Sequence, residues 1–202
     1  LGKKVGKVKL VDMILKFGFT SKLGVDFPSE AAGQMLPAEK WSGTTIANVP
    51  MGQGIAVSPL QLAAAYAAIA NDGMMVQPHL VQGRVTPWIR QVVSKTVANQ
   101  LRDMLTVTVE DGTGTLAAVE GYSVAGKTGT AQKVNPEGGY YSDRFVASFV
   151  GMVPAEDPRL VILVTVDEPA TQHYGSSVAA PAFAEIADFA LKRLSVAPDA
   201  AD

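Results

Sequence analysis

Gly121-Tyr122-Ser123-Val124-Ala125-Gly126-Lys127-Thr128-Gly129-Thr130 decides how this chain is read, because it satisfies two unrelated signatures at once. As G-x-x-x-x-G-K-[ST], residues 121–128 would be a phosphate-cradling loop, with Lys127 and Thr128 meeting a terminal phosphate and its Mg²⁺. As a K-T-G strand, the same residues present one fixed positive charge and two hydroxyls at alternate positions, which is a clamp for a carboxylate. The first reading demands a helix starting at Lys127. The second demands extended chain running through it.

The nucleotide reading has a second apparent support, since residues 160–168, Leu-Val-Ile-Leu-Val-Thr-Val-Asp-Glu, look like an apolar strand ending in a magnesium-holding acid. Its other requirements fail. A phosphate loop needs a buried strand before it, a Gly-rich turn inside it and a helix after it, whose N-terminal N–H groups bind the anion. Here residues 111–120 are a turn and a short small-residue stretch, and Tyr122-Ser123-Val124-Ala125 alternates like a strand and holds no Gly. Beyond Thr128 come Gly129, Pro136, Gly138 and Gly139, which rule out a helix of ordinary length.

Read as a strand over 122–132, the segment makes chemical sense. Small residues at Gly126, Gly129 and Ala131 would let a substrate backbone approach as an added strand. Lys127 supplies charge, and Thr128 and Thr130 share a face from which both can donate to one carboxylate. An isolated K-T-G has a plainer explanation, an edge strand with a solvated Lys and two Thr of ordinary β propensity.

The neighbouring segments decide between these. Residues 51–73 read as a loop feeding a helix with Ser58 as N-cap, Pro59 at its first position and Gly73 as its stop. Together with Asp111-Gly112-Thr113-Gly114, Val124-Ala125-Gly126-Lys127-Thr128-Gly129-Thr130-Ala131-Gln132, Phe149-Val150-Gly151-Met152-Val153-Pro154, Phe17-Gly18-Phe19 and Gly24-Val25-Asp26-Phe27-Pro28-Ser29-Glu30, the pattern resembles the transpeptidase domain of class B penicillin-binding proteins. The resemblance runs over essentially the whole chain, in order.

That resemblance implies an α+β fold, an antiparallel sheet flanked by helices, and a D,D-transpeptidase that cross-links peptidoglycan stem peptides through an acyl-serine and binds β-lactam antibiotics. It implies that Lys127 supports the proton network, that the Thr130 N–H joins the oxyanion hole, and that Thr128, Gly129, Thr130, Gln132, Gln53 and Tyr174 bind substrate. Gln132 departs from the family, where a basic residue is common, so carboxylate recognition would lean on Thr128 and Thr130. No cofactor and no metal are implied. The implied partners are a glycosyltransferase and the N-terminal part of the same enzyme, and the implied location is the extracytoplasmic face of the bacterial cytoplasmic membrane, with an anchor upstream.

Family members acylate a Ser in S-x-x-K, assisted by S-x-N, and neither occurs here in a matching context; Ser21-Lys22 and Ser94-Lys95 are only adjacent pairs. The expectation is therefore that residues 1–195 are the C-terminal part of a transpeptidase domain, with 196–202 a tail and the nucleophile elsewhere. Two rivals remain: the nucleotide enzyme, and a catalytically dead, family-derived binding module.

Composition constrains little. With 48% hydrophobic residues the chain can build a sizeable core, no run approaches a membrane span, and a net charge of −2 gives no hint of nucleic acid. Lack of Cys suits an oxidising compartment without requiring one.

The organisation is helical first and sheet-like later. A short amphipathic helix is expected over 9–17, then loops over 18–57 anchored by Trp41, then helices over 58–71 and from Ser94, the latter with Val97, Leu101, Met104 and Leu105 at helical spacing. Strands are expected at 122–132, 144–153 and 160–166, the last two forming an antiparallel hairpin across Asp157-Pro158. A final helix over 178–194 repeats Phe183, Ile186, Ala190 and Leu194 and should cover one sheet face.

The strand over 160–166 is apolar at nearly every position, as a central strand would be, yet has one obvious partner, so the sheet reads as unfinished. His79 and His173 lack neighbours at metal-ligand spacing, and His173 belongs to a loop bordering the cleft. Asp167 and Glu168 should point to opposite faces. Tyr140 and Tyr141, in the loop after the Lys127 strand, either wall the groove or cap a turn.

Overall fold

A computed structural model describes residues 1–200. Its sheet has three antiparallel strands, β1 (Ala125–Val134), β2 (Tyr140–Val153) and β3 (Leu160–Asp167), in that spatial order, so β1 and β3 are both edges. Two small antiparallel pairs, Gln34–Met35 with Ile55–Ala56 and Met74–Val76 with Ile89–Gln91, lie apart from it.

The main helices are α1 (Lys7–Lys16), α2 (Pro59–Ala70), α3 (Lys95–Glu110) and α4 (Ala180–Arg193). The caps read from sequence are present. Ser58 accepts from the Gln61 N–H at 3.2 Å while the Gln61 side chain accepts from the Ser58 N–H at 2.9 Å, a reciprocal box that satisfies two otherwise orphaned donors. Ser94 caps α3 at the Val97 N–H. Gly73 stops α2 at φ +85°, and a Cβ there would meet the Val93 carbonyl oxygen at 2.1 Å, so no other residue fits.

Gln61 does more than cap. Its side chain is fully buried, and its amide Nε2 lies 3.1, 2.8 and 2.8 Å from the carbonyls of Gly18, Ser21 and Ala32, tying the loops after α1 to α2. The Glu30 carboxylate gathers the N–H groups of Leu23, Gly24 and Val25, and Asp26 accepts from Leu80 and Val81. Those backbone donors, Leu80 first, hold the Asp26 carboxyl below its ordinary range. Trp41 is buried as expected, its indole donating to the Leu36 carbonyl at 2.7 Å.

Helices cover both sheet faces. On one, Phe149 and Val153 pack with Phe183, Ala187 and Leu191 of α4, the Phe149 and Phe183 rings meeting edge-on at 4.8 Å. On the other, Ala125, Met152 and Val161 pack with Tyr66 and Ile69 of α2 and Leu101 and Leu105 of α3.

Several sequence expectations need correction. β1 starts at Ala125, not at 122, because Gly121 turns the chain at φ +78° and Tyr122 makes only an isolated bridge with Val119. Tyr140 and Tyr141 lie inside β2, since the hairpin turn is confined to the Asn135–Gly139 segment, where the Asn135 N–H donates to the Gly139 carbonyl. In α4 the buried stripe is Phe183, Ala187 and Leu191, while Ile186 and Leu194 are exposed; α4 sits so close to the sheet that Ala fits where larger residues would not. In α3 the inward residues are Ala98, Leu101, Leu105 and Val109, and Val97 and Met104 face outward. β3 has one strand partner, as expected, but none of its residues is fully buried.

Asp167 and Glu168 do not diverge. Glu168 adopts φ +48°, which breaks the strand alternation, and both carboxylates reach Lys133 Nζ, at 3.0 and 2.7 Å. The hydrogen bonds it donates to Glu168 first and Asp167 second hold that ammonium above its ordinary value. Residues 196–199 of the expected tail lie along the entry to β1: Tyr122 donates to the Val196 carbonyl at 2.7 Å, and Asp199 accepts from the Ser123 N–H at 2.9 Å and from its hydroxyl. The last two tail residues lie outside the described residues.

Candidate active site

Lys127 lies in mid-strand, paired with Val150 of β2, and no helix begins there. That removes the phosphate-loop reading, because the N–H groups that would cradle a phosphate are committed to strand geometry.

The strand is open on its far side, and its direction can be derived. The Thr108 hydroxyl, on α3, is shared between the Leu105 carbonyl of its own helix (2.7 Å) and the Gly126 carbonyl of β1. Gly126 therefore points its backbone groups away from β2. Because alternate residues of an antiparallel strand point to alternate sides, Thr128 and Thr130 turn their N–H and C=O groups the same way, toward the open edge. Thr128 pairs with Phe149 and Thr130 with Ala147, so the two side chains share one sheet face.

The side chains converge as follows. Lys127 Nζ donates to the Thr128 Oγ1 at 3.0 Å, the Thr128 carbonyl at 3.2 Å and the Thr113 Oγ1 at 3.2 Å. The Thr113 and Thr128 hydroxyls are 2.9 Å apart. Thr130 Oγ1 accepts from the Gly175 N–H at 3.2 Å, leaving its own proton to donate. Tyr174, next to Gly175, is exposed and lies against His173, which stacks on Phe145 at 4.2 Å; Phe145 is the cross-strand partner of Gln132. Tyr174 thus borders the Thr130 end of the edge.

Gln132 and Gln53 are placed less directly. Gln132 spends an amide N–H on the Tyr141 carbonyl at 3.0 Å, bracing the hairpin. Gln53 sits in an exposed turn whose next residue, Gly54, donates its N–H to the Tyr140 hydroxyl at 3.1 Å. Gly126 and Gly129 of β1 are also required by packing within the sheet. A Cβ on Gly126 would fall 2.5 Å from the Phe149 ring, and one on Gly129 would fall 2.5 Å from Ser148 Oγ. Sequence reasoning missed Thr108, Thr113, His173 as a stacking residue, and Gly175. Thr113 did carry a signal: it lies in Asp111-Gly112-Thr113-Gly114, the turn before β1 that forms part of the family pattern.

Comparison with known proteins fits this geometry. Residues 1–188 match the family described as penicillin binding protein transpeptidase domain. The chain belongs to that family. It is 41% identical to penicillin-binding protein PbpB of Mycolicibacterium smegmatis over 97% of this chain and 33% of that relative. It is 38% identical to the probable peptidoglycan D,D-transpeptidase PbpC of Pseudomonas aeruginosa over 97% of this chain and 35% of the relative. It superposes on penicillin binding protein 3 of Mycobacterium tuberculosis complexed with ampicillin with a TM-score of 0.90 and 37% identity, over 98% of this chain and 48% of that one. The chain thus spans about a third of the length of the curated relatives it matches. The α+β architecture expected from the sequence is that of the transpeptidase domain.

Proposed function

We propose that this chain carries the edge-strand half of a peptidoglycan D,D-transpeptidase, with the acylating Ser contributed by a segment carrying S-x-x-K outside these residues. The observation behind it is the open edge of β1, where Lys127, Thr128 and Thr130 offer a charge, two hydroxyls and outward N–H groups within one turn-free stretch.

In the reaction, a Ser Oγ attacks the carbonyl of the terminal D-Ala–D-Ala bond. The carbonyl carbon–nitrogen bond then breaks, the amine leaves with a proton, and the acyl group passes to the amine of a second stem peptide. This chain's residues have defined parts. The peptide lies as an added strand along β1, its terminal carboxylate between the hydroxyls of Thr128 and Thr130. The outward Thr130 N–H stabilises the developing oxyanion, a contribution of about 3 kcal/mol for one such donor. Lys127 keeps positive charge beside the reacting Ser, and Gly129, Gln132, Gln53 and Tyr174 line the substrate path. A β-lactam carries the same carboxylate and carbonyl, so it acylates the same Ser and leaves it blocked.

The parent protein would work at the extracytoplasmic face of the cytoplasmic membrane beside a glycosyltransferase. No helix among the described residues is long and apolar enough to cross a membrane. The test is labelling of the full-length protein by a fluorescent penicillin, with ATP binding measured in parallel. Labelling without Mg²⁺-dependent ATP affinity is expected; micromolar ATP binding without labelling would reverse the reading.

A further inference from the structure

Proton bookkeeping around Lys127 leads to a residue outside the Lys127-Thr128-Gly129 strand motif. The ammonium has three N–H groups, and all three have acceptors: two hydroxyl oxygens, Thr113 and Thr128, and the Thr128 carbonyl. The two hydroxyls carry one proton each, and one of those protons lies in the 2.9 Å contact between them. A single proton therefore remains to be offered to a ligand, and the partner that gives the shared proton decides which oxygen offers it.

Thr113 is held in place independently of the clamp. Its turn is fixed to the end of α3, where the Gly114 N–H donates to the Thr108 carbonyl at 2.8 Å. Gly112 approaches that helix so closely that a Cβ on it would fall 2.8 Å from the Thr108 backbone. Thr108 in turn reaches the Gly126 carbonyl of β1. One residue of α3 thus registers both the Thr113 turn and the strand bearing Lys127 and Thr128.

We infer that Thr113 is a positioning residue for carboxylate recognition: its hydroxyl donates to Thr128 Oγ1, so that the Thr128 proton is turned outward to the substrate. Thr113 touches no substrate atom in this arrangement. It acts through Thr128, and the chain from Thr113 to Thr128 to carboxylate strengthens each bond in the series. Without it, the Thr128 hydroxyl is free to rotate and the ammonium loses one of its three acceptors.

This inference rests on the transpeptidase reading. Its test uses the full-length protein and a thioester acyl donor in two forms, one ending in a free carboxylate and one in the corresponding primary amide. Acylation rates are compared in wild type, T113V, T113A and T113S, with thermal unfolding measured on each. The expectation is that T113V acylates about tenfold more slowly with the carboxylate donor and within about twofold of wild type with the amide, so selectivity collapses. T113S, which keeps the hydroxyl, should stay within about threefold on both. Equal slowing on the two donors, wild-type selectivity in T113V, or a T113S as poor as T113V would overturn the inference alone. Should T113V not fold, T113A against T113S decides by the same criteria. A wild type acylated by neither donor would overturn the transpeptidase reading and this inference with it.

Discussion

The Gly175 N–H donates to Thr130 Oγ1 at 3.2 Å, and Gly175 sits so tightly on the sheet that a Cβ there would fall 2.2 Å from the Ser148 carbonyl oxygen and 2.6 Å from that of Gly129. The approach to α4 is thereby seated directly on the strand that carries Thr128 and Thr130. Loop and clamp are thus in direct contact.

Gly175→Ala is the sharpest test of that seating. Two backbone oxygens cannot give way as the end of a side chain can, so the segment must lift from β1. We expect a loss of about 1–3 kcal/mol in stability, as for overpacked sites, together with slower penicillin labelling of the full-length protein. Wild-type labelling in G175A would detach the loop from the site.

Lys127→Ala separates chemistry from packing. The side chain is exposed and its bonds are all to groups at the open edge, so removing it should change unfolding free energy by less than about 0.5 kcal/mol. Acylation should fall by at least about a hundredfold, as for loss of a proton-network residue. A variant that labels normally would remove Lys127 from the proton network.

Gln61→Ala tests a contact that no local pattern announces. The buried amide serves carbonyls of Gly18, Ser21 and Ala32, up to 43 positions away, and truncation removes its bonds to all three, leaving Gly18 only the Ser21 hydroxyl at 3.3 Å. Each buried unsatisfied group costs about 1–3 kcal/mol, so urea unfolding should register a loss of that order or more.

What the sequence disclosed was what local physics determines. The Ser58 and Ser94 caps, the Gly73 stop and the extended run through Lys127 follow from side-chain chemistry within a few residues, and all are present. What it hid was set by distance. Thr113 meets Thr128 across 15 positions and Tyr140 meets Gly54 across 86, and neither pairing leaves a periodic trace. The misplaced stripe on α4 has the same origin: Phe183-Ala187-Leu191 and Phe183-Ile186-Ala190 are both helical, and only the closeness of the sheet favours Ala in the seam.

Tyr66 offers a pH signature. Burial between the sheet and α2 pushes its hydroxyl from an ordinary 10.0 up to about 12. The folded state keeps the proton after the unfolded chain has released it, so this contribution is fully present below pH about 10 and is lost as pH rises through about 12. Stability should fall across that window with a slope of up to about 1.4 kcal/mol per pH unit from this group. Tyr66→Phe should flatten that part of the alkaline limb, measured by urea midpoints of the full-length protein. An unchanged limb would mean the hydroxyl is hydrated.

The polypeptide of residues 1–202 on its own should form no covalent adduct with penicillin. None of its serines lies in S-x-x-K, so no hydroxyl has the neighbouring Lys that activates a nucleophile. Its sheet also ends in two edges, and β3 offers a run of Leu, Val and Ile with one side unpaired, a template for pairing with other chains. The isolated piece should therefore associate at micromolar concentration, and joining it to a segment that carries S-x-x-K and covers β3 should yield a cooperative, acylable protein. Intact-mass spectrometry after incubation with penicillin reads the outcome: a stoichiometric adduct on the 202-residue piece would place the nucleophile within it and relocate the catalytic Ser.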